Sequence, residues 1–168
     1  MTLTDREFWG LIHGMVFGAV FLLAYAGGLA ELWALRPEFA TAQGILRRTK
    51  RLMIGTWVMA AAAWGTVLTG TWIVYPWYRA EGGAKTALLA SPSTEGWHTF
   101  GIEWKEHLAW VAPLLATAVA FIVTYYRKDL AKLTGLRHAL LVTFTAAFGI
   151  AGVAGLLGAL ITKSAPVL

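Results

Sequence analysis

His13 and His107 are the residues of this chain whose type and position best suit chemistry. Each lies one to two turns inside an apolar stretch, at the same end of the first and third of four such stretches. An ionisable side chain in a lipid-bound segment is costly and usually faces a bundle interior or a cofactor, so it marks a functional site. Two neutral imidazoles facing each other are also what a six-coordinate haem iron takes as axial ligands. Gly10 and Gly14 lie three residues before His13 and one after it, and leave the neighbouring helix surface bare. A flat macrocycle needs that clearance. His107 stands in Glu103-Trp104-Lys105-Glu106-His107, where the Glu103 carboxylate is one turn away and suited to accept the second ring N–H. Arg79 and Lys105 fall at the same boundary and are cationic donors for the carboxylates of a bound group.

Each residue also has a plainer reading. His13 can be satisfied by a neighbouring helix, with its glycines serving only close packing. His107 can belong to the charged turn with which a helix enters the membrane. His98 lies in the segment between the second and third stretches and reads as a solvated histidine, a propionate contact or a substitute ligand. His138 opens the fourth stretch beside Arg137 and reads as a head-group or quinone contact.

The elements that must position these groups follow from composition. The 168 residues are 58% hydrophobic and 14% charged, with a mean hydropathy of +0.61. That lies outside soluble-domain composition. Spans at about residues 7–35, 52–75, 104–126 and 138–161 are each long enough to cross a bilayer. Apolar residues occupy every face of them, so the sequence predicts an all-α membrane protein, one domain of four transmembrane helices in an up-and-down bundle. The N-terminus lacks the positive region of a cleaved signal and is read as part of a retained first span.

The net charge of +5 concentrates in two short connections. Arg36, Arg47, Arg48, Lys50 and Arg51 follow the first span, and Arg127, Lys128, Lys132 and Arg137 follow the third. These make nine of the 14 cations, against five on the other side. The positive-inside rule therefore predicts cytoplasmic short connections, both termini on the outer side and an external loop at 76–103. The pattern fits anionic lipid rather than nucleic acid, and no nucleic-acid module is present. Small-residue ridges (Gly10, Gly14 and Gly18; Gly149, Gly152, Gly155 and Gly158) read as packing faces.

Cysteine is absent. Disulfides, iron–sulfur ligation, thiolate nucleophiles and covalent haem attachment are thereby excluded, so any haem is held non-covalently. No metalloprotease helix, nucleophile elbow or phosphate-binding glycine loop occurs either. In an up-and-down bundle the first and third spans run in the same direction and are diagonal neighbours. Adjacent axes 8–10 Å apart give a diagonal of roughly 11–14 Å, room for imidazole, iron and imidazole. The depths of His13 and His107 agree within a few ångströms at about 1.5 Å of rise per residue.

On Gly10, His13 and Gly14 of the first span and His107 of the third, the chain resembles the four-helix b-type cytochromes of respiratory membranes. The resemblance covers the architecture of the membrane core and implies haem clamped by histidines on alternate helices. Two-haem members carry a further histidine along each of those helices. Here Ala26–Gly27–Gly28 and Ala120–Phe121–Ile122 occupy that zone, which limits the expectation to one haem b. The expected function is a membrane cytochrome subunit in a bacterial-type cytoplasmic membrane. It relays electrons between the quinone pool and an external c-type cytochrome or redox domain, beside other membrane subunits and lipids. The alternative is a haem-free accessory or anchor subunit of a respiratory or photosynthetic complex.

Overall fold

The computed structural model describes residues 2–36 and 41–165, and every regular element among them is helical. Helix α1 is Asp5–Ala34, α2 is Ala42–Arg79, α3 is the short Ala84–Leu89, α4 is Trp97–Tyr126 and α5 is Thr134–Ser164. The four long helices are each long and apolar enough to cross a membrane.

These helices outrun the apolar stretches that mark them in the sequence. Helix α2 begins at Ala42 because Thr41 caps it, its hydroxyl accepting from the Gly44 amide at 3.1 Å. Arg47, Arg48, Lys50 and Arg51 therefore sit on its first turns and not in a loop. Thr4 and Glu7 start α1 with a reciprocal capping box. The segment expected as the external loop 76–103 is largely helical. It holds the end of α2, a turn through Gly82 at φ +69°, helix α3 and the first turns of α4.

Three departures from regular α-helix fall at one end of the bundle. Residues Ile12–Val16 of α1, Gly70–Val74 of α2 and Trp97–Ile102 of α4 are π-helical. In the first two, the amides of Phe17 and Tyr75 reach back five residues to Ile12 and Gly70. The wider turn in α2 precedes Pro76, which has no amide to donate. A further irregularity in α4 is the turn at Ala109 and Trp110, four and three residues before Pro113. Proline at 113 removes the bond to the Ala109 carbonyl and crowds it.

Helix α1 packs along α2, α2 along α4, α4 along α5, and α5 returns to α1. Side chains set the register of these antiparallel neighbours. Trp57 and Trp64 of α2 each donate an indole N–H, at 3.0 Å, to Thr124 and Thr117 of α4. Both threonines spend their own protons on carbonyls one turn back, which leaves oxygen lone pairs for the indoles. Tyr25 of α1 meets Thr145 of α5 at 3.1 Å, and Glu31 of α1 pairs with Arg48 and Arg51 of α2. Leu32, Leu52, Met59, Val119, Val123 and Phe144 fill the core between them. Outward faces are apolar as well, with Leu23, Val142 and Phe121 largely exposed, as lipid contact requires.

At the basic end, Arg137 is buried on the first turn of α5. It donates to the Leu130 and Ala131 carbonyls and to the Thr134 hydroxyl. A charge taken from water needs such partners, and here they tie the α4–α5 connection to the helix that follows.

Candidate functional site

The opposite end carries the start of α1, the end of α2, the start of α4 and the end of α5, and it gathers the histidines His13, His98 and His107. His13 is half-buried in the seam between α1 and α2. Its Nδ1 lies 2.8 Å from the Thr66 carbonyl oxygen and 3.2 Å from the Thr69 hydroxyl. A carbonyl has no proton to give, so Nδ1–H is the donor and a neutral ring keeps its lone pair on Nε2. The ring rests on the bare backbone of Gly70. A Cβ there would come within 2.7 Å of the imidazole Cε1.

A glycine on another helix thus gives the ring its seat in the seam. Nothing lies within 4 Å of a Cβ added at Gly10 or Gly14, and both glycines are exposed. The surface they leave bare beside His13 is open.

His107 is exposed on α4, with its Nδ1 2.7 Å from the Glu103 carbonyl oxygen. Glu103 supports the imidazole one turn away, but through its backbone and not its carboxylate. The proton again lies on Nδ1, and Nε2 is again the acceptor of the neutral form. His13 and His107 stand on the diagonal helices α1 and α4 and make no hydrogen bond to each other.

The cations expected beside them occupy different places. The Lys105 side chain crosses to α5, its Nζ 2.8 Å from where a Cβ of Gly158 would be, and lies within electrostatic reach of His13. It makes no ion pair among the described residues. Arg79 stays on its own helix, donating to the Tyr75 hydroxyl at 2.6 Å with its guanidinium 5.4 Å from that ring. His98 is paired as well: its Nδ1 is 2.8 Å from the hydroxyl of buried Tyr78. His138 is exposed at the other end.

The residues that sequence reasoning passed over are Thr66, Thr69, Gly70, Tyr75, Tyr78 and Glu106. Glu106 has a fully buried Oε1 without a hydrogen-bond partner, and the Tyr75 hydroxyl is among the groups facing it. Its signal in the sequence was an acid in the charged turn immediately before His107. The threonines and Gly70 carried no local signal, because their role exists only once α2 lies against α1.

Among the described residues, no three His, Cys, Asp or Glu side chains group as a metal site would require. A bare transition-metal ion normally takes three or four protein ligands. Two histidines whose Nε2 atoms make no hydrogen bond suit instead a metal that arrives with its other ligands in place. Comparison with known proteins identifies no relative: no family model, no curated protein and no solved structure matches the chain.

Proposed function

We propose that this chain is a b-type cytochrome subunit of a respiratory or photosynthetic membrane complex. One haem b is held near the outer face by Nε2 of His13 and of His107. The subunit relays electrons between the quinone pool and an external partner, a c-type cytochrome or redox domain. The bundle runs up and down with both termini outside, in a bacterial-type cytoplasmic membrane. Haem supplies the one-electron chemistry. The chain would supply two imidazole nitrogens and, through the Thr66 and Glu103 carbonyls, their orientation.

The observation that carries this reading is the shared state of the two imidazoles. Each commits Nδ1–H to a backbone carbonyl, at 2.8 Å for His13 and 2.7 Å for His107. Such a bond fixes the tautomer, raises the basicity of Nε2 and restrains the ring, the support that metal-bound histidines receive in general. Lys105, without a carboxylate partner among the described residues, is the cation best disposed to meet a haem propionate. Arg79 serves the same role at the cost of its Tyr75 contact.

The exposure of His107 and the bond from His13 to α2 favour a second reading, a haem-free accessory subunit that holds lipids or neighbouring subunits. Oxidised and reduced absorption spectra of protein purified from haem-replete membranes separate the two. The cytochrome reading expects a reducible b-type band, about one haem per chain by pyridine haemochrome, and loss of that band in both His13→Ala and His107→Ala. A colourless protein overturns it, as does haem content unchanged by both substitutions.

A further inference from the structure

An open apolar groove of about 650 Å³ runs along α1 beside α5, towards the basic end of the bundle. Its floor is a single face of α1: Leu22, Ala26, Ala30 and Trp33 recur at helical spacing, with Tyr25 and Phe148 closing one side. The two rings stack with centroids 4.1 Å apart, and the Tyr25 hydroxyl is engaged by Thr145, so no unpaired polar group interrupts the wall. From Leu22 to Trp33 the stripe is about 16 Å long at 1.5 Å per residue. That is close to the half-thickness of a bilayer core, about 15 Å.

The groove has a charged end. Arg36 is one turn beyond Trp33, and its guanidinium carbon lies 3.7 Å from the centroid of the indole. Cation–π contact holds the group at the mouth of the groove and uses the face of the guanidinium, not its N–H donors. The neighbouring Arg48 and Arg51 share the single carboxylate of Glu31, whereas Arg36 makes no ion pair among the described residues. An apolar channel one leaflet deep that ends on a guanidinium matches an acyl chain joined to a phosphate.

We propose that this groove is a binding site for an anionic phospholipid, with one acyl chain along Leu22–Trp33 and the phosphate on Arg36. The site is independent of the haem reading, since it lies on the outer surface of α1 and contains neither histidine. The experiment is native mass spectrometry of the purified chain after detergent delipidation and titration with phosphatidylglycerol or phosphatidylcholine. Phosphatidylglycerol is expected to remain bound at one per chain, with a preference of about fivefold, the factor one arginine supplies near an anionic surface. Arg36→Gln abolishes the preference and leaves residual binding of both lipids. Ala26→Phe fills the groove and removes both. Equal retention of the two lipids by the unaltered chain overturns the proposal and assigns the groove to a neutral chain such as a quinone tail. A preference that survives both substitutions overturns it too, because the anionic lipid then binds elsewhere.

Discussion

A histidine is placed by what lies under its ring as much as by what bonds its nitrogens. His13 combines a carbonyl partner at 2.8 Å with the absence of a side chain at Gly70, so the imidazole comes close against α2 with Cε1 nearest. Gly70→Ala puts a methyl within 2.7 Å of Cε1, and both the ring and the Thr66 bond must give way. Overpacking of this kind costs about 1–3 kcal/mol, which exceeds the gain of about 1 kcal/mol in helix propensity. Gly14→Ala meets no neighbour and keeps only the gain. Thermal unfolding in detergent is therefore expected to drop for Gly70→Ala and to hold or rise for Gly14→Ala. The haem content of Gly70→Ala falls in parallel if His13 is an axial ligand. The chemistry-bearing residue was legible in the sequence because an ionisable group in an apolar stretch stands out. Its glycine was not: Gly70 is separated from His13 by 57 positions and becomes a neighbour only when two helices pack. Glu103 was legible as a residue, while the atom it uses was decided by geometry, its carbonyl being already one turn below the ring.

At the scale of helices, most glycines of the two regular ridges are not those that permit close approach, Gly158 excepted. Nothing lies within 4 Å of a Cβ added at Gly10, Gly14, Gly18, Gly149, Gly152 or Gly155. Where two long helices meet, the crowded positions are Gly28 against Phe144, Gly65 against Phe17, Gly70 against His13 and Gly158 against Lys105. A repeat in the sequence reports a smooth face, but a crossing uses one or two points of it, chosen by which bulky residue the partner brings. Gly27 and Gly28 test the distinction within one dipeptide. At Gly28 a Cβ would lie 2.7 Å from the Phe144 ring, which is fully buried and has no room to retreat. Gly28→Ala is expected to destabilise by about 1–3 kcal/mol in denaturant titrations. Gly27→Ala, with open space around it, is expected to stabilise slightly. Equal effects at the two positions would mean that Phe144 does not pack on α1. Between α2 and α4 the indole–threonine bonds hold the register, so Thr117→Val is expected to cost about 0.6 kcal/mol, the average for such bonds inside membranes. The four spans themselves were legible from hydropathy. Their true ends were not, because capping at Thr41 and packing beyond the apolar core extend α2 and α4 well past it.

The whole molecule has two unlike ends, and its function depends on which of them faces the cytoplasm. Nine of the 14 cations lie near the end that carries Arg36, Arg137 and the start of α2. Although several prove to be helical and not in loops, the positive-inside rule counts cations within 15–20 residues of a span whatever their local structure. Their helical placement therefore leaves the expected orientation unchanged. The absence of cysteine makes it simple to test, since any thiol introduced is the only one in the chain. Ser93→Cys, exposed between α3 and α4, is expected to react with a membrane-impermeant maleimide added to spheroplasts. Lys128→Cys, exposed between α4 and α5, is expected to react only after the membrane is opened. The reverse pattern would place His13 and His107 on the cytoplasmic side. An external c-type cytochrome could not then be the direct partner of a haem between them. It would leave the anionic-lipid groove intact but move its arginine to the opposite leaflet, so labelling decides which side the histidines face without deciding the lipid site.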